Sequence, residues 1–296
     1  MAVSYYRALL TPMPGVGRDH LLKTLREVHT AASNIWGGGT GPADRRLTEY
    51  VEWATNSVQM LGGQISSADL DRLILTRGYE RLLSGVGTLT GTDLGTQRAV
   101  NGLVSLELRQ RVDALDQAVK ALTAQINRWN GVDVFAVADT SVYIEHEDKL
   151  EDLDFAPLLD MAWWDKPIRI LVPVIVMDEL DGLKRSKDRD VRWRAGYTLA
   201  VLDRVFAKTT GPAQLRPPNS DSPRGAVVME SIFDPPGHVQ LPVNDDEIID
   251  RTLAVQALAG REVTLLTYDT GQSMRAHNAG LSAKKLTMPI GDEPGK

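Results

Sequence analysis

Cysteine is absent from all 296 residues, which excludes disulfides and thiolate zinc sites and fits a reducing, cytoplasmic setting. Also missing is any run near the ~18 consecutive apolar residues that a bilayer-spanning helix needs. The opening MAVSYYRALLTPMPG holds one arginine and too short an apolar stretch for a secretory signal, so no membrane partner is expected. Positive charge is not in excess either: 33 Lys and Arg face 39 Asp and Glu, a net charge of -6. That balance argues against a polycation coating nucleic acid, and still permits an acidic centre with a locally basic rim. The five histidines are scattered, and none shows a metal-ligand spacing such as HxxxH.

What remains is an ordinary globular composition, 43% hydrophobic and 24% charged. A chain of this length is comfortable as two domains, either of which can bury its own core. Residues 1–130 read as an all-α domain, with no chemistry visible in it. Helices are expected over 19–33, 47–61 and 67–83, where apolar residues recur at spacings of three and four, interrupted by IWGGGTGPADRR and by a loop SGVGTLTGTDLG. A long helix over 96–129 carries Val100, Leu103, Val104, Leu108, Val112, Leu115, Val119, Leu122 and Ile126. Such sustained spacing suits helical-hairpin or coiled-coil packing, including a homo-oligomer formed through these helices.

At Asn130-Gly131 the pattern changes, and 131–296 reads as an α/β domain. VDVFAVAD, IRILVPVIV and REVTLLTYD are short β-branched runs; weaker strands are expected at GAVVMESI and KKLTM. Helical stretches at 178–206 and 244–260 separate them. Strands alternating with helices predict a parallel sheet covered on both faces. The segment 208–225, rich in Pro, Gly and Ser, reads as a surface loop.

In such sheets function collects beyond the carboxyl ends of the strands. Asp139 closes the first run, Asp269 closes the third, and Asp245 with Asp246 opens a helix after LPVN. Glu179 lies a few residues past the second run, at the start of the next helix. Each has an ordinary structural role available. Asp139 and Asp269 suit turns or caps, Glu179 a solvated first turn, and Asn244 with Glu247 a capping box. Gathered in one pocket, though, these acids repel unless a cation neutralises them, and Mg²⁺ or Mn²⁺ prefers an all-oxygen site.

With those residues in view, about 132–288 resembles the PIN-domain ribonuclease family. The closest motif style is the branch accompanying PhoH-type ATPases and the eukaryotic decay endonucleases. VADTSVYI resembles its first motif, VPVIVMDELDGLK its most specific one, and LPVNDDEII and LLTYDTGQSMRAHNAGL its third and closing motifs. Tyr268 stands where relatives often have Asn, and Met177-Asp178 replaces more typical residues, but neither is a presumed ligand. The resemblance implies a PIN-like parallel sheet flanked by helices, and hydrolysis of single-stranded RNA to products with 5′-phosphate and 3′-hydroxyl ends. It implies Asp139, Glu179, Asp245 and Asp269 as catalytic metal-binding acids, Asp246 as an auxiliary, and Thr267 as a polar group behind them. Asp250, one turn from Asp246, ranks lower. The helical half has no counterpart in the family.

An acidic pocket repels phosphate, so cations must hold the substrate. Lys184, Arg185, Lys187, Arg189, Arg192 and Arg194 follow Glu179; Arg275, Lys284 and Lys285 are placed to flank the other side. Trp193 and Tyr197, four apart among them, offer a base-stacking surface. The plainer reading of the run is a solvated helix face, and of Trp163-Trp164 a core or contact position. A haloacid-dehalogenase-like phosphatase needs a second Asp where Ser141 stands. A P-loop or Rossmann binder needs a glycine fingerprint that DTSVYI lacks, and GVGTLTG at 85–91 lies between helices. A toxin of this fold is typically a single small domain. The non-enzymatic alternative is a PIN fold serving as an RNA-binding or protein-interaction scaffold.

Overall fold

The computed structural model describes residues 9–10, 12–38, 41–86, 93–131, 133–162, 166–207, 209, 211–218, 224–235 and 237–287. Trp163-Trp164 and residues 87–91 of the glycine-rich segment lie outside these. The chain divides into two compact units, one of 1–130 with 235–238 and 257–260, the other of 131–234 with 239–256 and 261–296.

The first unit is helical: α1 (Arg18–Gly37), α2 (Ala43–Leu61), α3 (Ser67–Leu73), α4 (Arg77–Ser84) and α5 (Leu94–Arg128). Leu21, Leu25, Val28 and Ala32 form one buried stripe on α1, and Val100, Val104, Leu108, Leu115 and Leu122 another on α5. Both α1 and α2 pack along α5. The single helix expected over 67–83 is in fact two. Thr76 accepts from the Tyr79 amide (3.1 Å) and so caps a new start. Its hydroxyl also donates to the buried Glu107 (2.5 Å), a tertiary partner that local periodicity does not reveal.

The second unit is built on a six-stranded sheet in the order β3-β4-β2-β1-β5-β6. Its strands are β1 (Val134–Ala138), β2 (Ile168–Pro173), β3 (Ala213–Arg216), β4 (Val227–Ile232), β5 (Val263–Thr267) and β6 (Ser282–Lys285). All neighbours are parallel except β3, which runs antiparallel to β4. Near-continuous burial along β1, β2 and β5 is what central parallel strands require. The connecting helices are α6 (Thr140–Glu145), α7 (Phe155–Leu158), α8 (Val174–Leu183), α9 (Arg189–Phe206), α10 (Asn244–Ala259) and α11 (Thr270–Asn278).

Three local expectations need correction. The second strand stops at Pro173, not Val176, because proline has no N–H for the ladder and suits a helix entry. Glu179 therefore lies in the middle of α8 rather than at a helix start. The helix expected over 178–206 breaks at 184–188, where Asp188 accepts from the amides of Asp190 (2.8 Å) and Val191 (3.1 Å) to begin α9. The expected loop at 208–225 contains β3, an edge strand made by pairing with β4. Arg169 on β2 pairs with Asp133 and with the fully buried Glu230 on β4 (3.1 Å), tying the sheet together across its N-terminal end.

Candidate metal centre

The chain places β1 centrally, fills one side with β2, β4 and β3, then returns to add β5 and β6 on the other. The reversal falls between β1 and β5, and crevices in parallel sheets open at that point beyond the strand ends. An open cleft of about 960 Å³ lies there, lined by Asp139, Glu145, Glu179, Asp245 and Asp269 together with Thr140, Ser141 and Tyr268.

Asp139 ends β1 and is 6% exposed. It caps α6 through the Thr140 amide (2.6 Å), and accepts from the Ser141 hydroxyl (2.6 Å) and from Thr267 (3.0 Å). Capping and cleft-lining are thus one arrangement: the cap fixes the carboxylate at the strand end. Ser141 also accepts from the Tyr268 amide (3.0 Å), so its hydroxyl joins β1 to the turn after β5. Thr267 is fully buried and accepts from the Asp269 amide (2.9 Å), which places Asp269 at the start of α11. Asp269 in turn caps that helix through Gln272 (2.8 Å).

Glu179 reaches the cleft from α8. One carboxylate oxygen accepts from the Thr140 hydroxyl, the other from the Asn244 side-chain amide (2.8 Å). Asn244 is the first residue of α10 rather than its cap, and the Glu247 amide donates to the Val243 carbonyl (3.1 Å). Asn244 turns to Glu179, sixty-five residues away, and the Glu247 carboxylate accepts from the Leu241 amide (2.8 Å).

Asp245 opens α10. Burial pushes its carboxyl above the ordinary carboxylate range, Arg275 pulls it back, and the charges of Asp139, Asp269 and Glu179 raise it again. Acids from four separate segments thus feel one another at this point. Glu145, which sequence reasoning missed, is a fifth: burial raises it, then Asp139 and Asp269. Its signal was present, since Ser141 and Glu145 are four apart on α6 and share a face.

The remaining candidates fall at varied distances from this cluster. Arg275 pairs with Asp245 (3.3 Å) and Asp246 (3.3 Å), so it sits on the acids rather than out on a rim. Asp246 and Asp250 are not among the lining residues, and the Asp250 carboxylate is taken by Arg251 (3.1 Å). Lys184 pairs with Asp181 (2.5 Å), Arg192 donates to the Ser186 carbonyl (2.7 Å), and Lys284 pairs with Asp160. His277 is exposed on α11.

The donor set around the cleft is all oxygen, and among the described residues Asp139, Glu179 and Asp269 are met by hydroxyl and amide donors and by no cation. That chemistry fits a hard divalent ion. Among known proteins, the PIN-domain family matches residues 136–287 of the chain, which span β1 to the end of β6 and every lining acid. No curated protein matches it.

Proposed function

Because the chain belongs to the PIN-domain family, typically metal-dependent nucleases, we propose that the acidic cleft is a Mg²⁺- or Mn²⁺-dependent ribonuclease centre acting on single-stranded RNA. Asp139, Glu179, Asp245 and Asp269 are the metal-binding acids in this reading, with Asp246 auxiliary and Thr267 behind them. The carrying observation is that acids following β1, β2, β4 and β5 line one cleft. When bound, a divalent ion supplies charge neutralisation and an activated water for phosphodiester hydrolysis.

The protein's own groups do the positioning. Ser141 and Thr267 hold the Asp139 carboxylate from one side, Thr140 and Asn244 hold both oxygens of Glu179, and Gln272 fixes Asp269 through a cap. Such supports fix ligand orientation before an ion arrives. Arg185, Lys187 and Arg192, in the turn and first turn between α8 and α9, are the cations assigned to the RNA backbone, with Lys184 beside them. Arg275, now paired with Asp245, would join them if released from that acid. The scaffold alternative gives no reason to keep five acids crowded in one cleft, where their repulsion costs stability.

The test is cleavage of unstructured RNA with Mn²⁺ by the wild type and by Asp139→Asn. Loss of rate by ~10²–10³-fold is expected for removing one such electrostatic group. Undiminished cleavage by the variant removes the assignment.

A further inference from the structure

We propose that Trp193 and Tyr197 form a base-stacking platform for single-stranded nucleic acid beside the acidic cleft. This rests on the nuclease reading of that cleft for the identity of the occupant, and on separate geometry for the site itself.

The two residues are four apart on α9 and share a face. Their rings stack with centroids 5.5 Å apart and planes 19° from parallel. Trp193 is 53% exposed. It is the one exposed large apolar side chain on α9. A protein interface needs roughly 800 Å² from each partner, far more than one stacked pair offers, whereas a single nucleobase is matched in size by an indole face.

The pair is held in place before any ligand arrives. The Tyr197 hydroxyl donates to Glu151 (2.6 Å), which Arg204 also engages. The Lys149 ammonium lies 5.9 Å from the Trp193 centroid and 5.6 Å from that of Tyr197. The cation thus lies over both rings, next to an indole that is half exposed, which suits a base and its phosphate.

The site is also tied to the cleft. Val191, two residues before Trp193, lines the cleft. Arg194 donates to the carbonyls of Glu147 (2.6 Å) and Asp148 (2.9 Å), pinning the loop after α6 against α9. Its charge reaches Tyr268, a lining residue that meets His146 edge-on at 6.3 Å. Residues two apart on a helix point to opposite sides, so the platform stands one helix width, ~10–12 Å, from the face that lines the cleft. Stacking there is indifferent to base identity, because every base has a flat face.

The experiment measures binding of a fluorescein-labelled oligouridylate to the full chain in EDTA, where cleavage does not intervene, with a duplex of equal length as comparison. Trp193→Ala should weaken single-strand binding on the order of tenfold and leave duplex binding unchanged, and Trp193→Phe should recover most of the loss. Lys149→Ala should lower the salt dependence by about one phosphate contact. Single-strand binding by Trp193→Ala equal to wild type, or no better recovery by Phe than by Ala, overturns the platform. Cleavage by the same preparations with Mn²⁺ separates the two ideas. A protein that cuts RNA while Trp193→Ala binds normally keeps its nuclease centre and loses the platform. One that binds through Trp193 and never cuts keeps the platform and loses the nuclease.

Discussion

Buried acids are handled in two opposite ways, with a built-in cation, as for Glu107 in the helical unit and Glu230 in the sheet, or without one, as at the cleft. In the helical unit Glu107 is buried with its counter-charge built in: Arg111 pairs with it at 3.0 Å, and Thr76 and Tyr50 donate to it. Arg111 Nη1 also donates to the carbonyls of Arg72 (2.8 Å) and Leu73 (3.2 Å). At the cleft of the sheet unit, among the described residues, Asp139, Glu179 and Asp269 receive hydroxyls and amides only, and Asp245 is raised by burial and by the neighbouring acids, against the pull of Arg275. A closed ion pair is architecture, while a cluster of acids held by neutral donors is prepared for a cation from outside.

The comparison can be broken at either end. The largest effect is expected for Asp139→Asn, which should slow Mn²⁺-dependent cleavage by ~10²–10³-fold, as set out above, and leave the thermal melt of the helical unit alone. Glu107→Gln should do the reverse. It strands the Arg111 charge in the interior, and removing one partner of a buried pair costs about 3–5 kcal/mol, read as a lower urea midpoint. Gly78→Ala attacks the same pair from another side, since a Cβ there would stand 2.1 Å from the Glu107 carboxylate. Normal stability in Glu107→Gln would show that the helical pair is not structural.

A smaller effect sharpens the contrast. The carboxyls of Asp245 and Glu145 have folded-state values raised above their ordinary 3.8 and 4.5. The folded state then binds protons more tightly than the unfolded one. Stability of the metal-free protein should rise as pH falls through the raised values, and stop rising below the ordinary ones. Asp245→Asn should accordingly raise the metal-free Tm by about 2–4 °C, and saturating Mn²⁺ should erase that advantage. A lower Tm in the variant would mean that the Arg275 pair outweighs the repulsion.

The smallest expected change concerns Arg275, the one cation paired with a lining acid among the described residues. It competes with a metal for Asp245. Arg275→Gln should tighten Mn²⁺ binding by roughly 2–5-fold, the scale of partly exposed ion pairs. Weaker binding would instead make Arg275 part of the metal's support.

The fold was legible wherever local pattern decides it. Strands that are buried throughout show as β-branched runs, and acids just past them can be read from the same windows, as with Asp139 after VFAVA. What stayed hidden depends on partners distant in the chain. Pro173 ends β2 although Val174-Ile175-Val176 looks like more strand, and β3 has no pattern of its own beyond its pairing with β4. Asn244 reads as a helix cap but is the first residue of α10, with its side chain on Glu179, and Arg275 reads as a free rim cation until α11 is laid against α10's first turn. Glu145 was overlooked because its signal, a place one turn from Ser141 on α6, counts only once Ser141 is known to line the cleft.

Calorimetric titration of Mn²⁺ into the full chain, beside Asp139→Asn and Glu107→Gln, tests the central contrast most directly. The account predicts saturable binding to the wild type, retained by folded Glu107→Gln and lost in Asp139→Asn. Absence of binding to the wild type, or equal binding to Asp139→Asn, would contradict it.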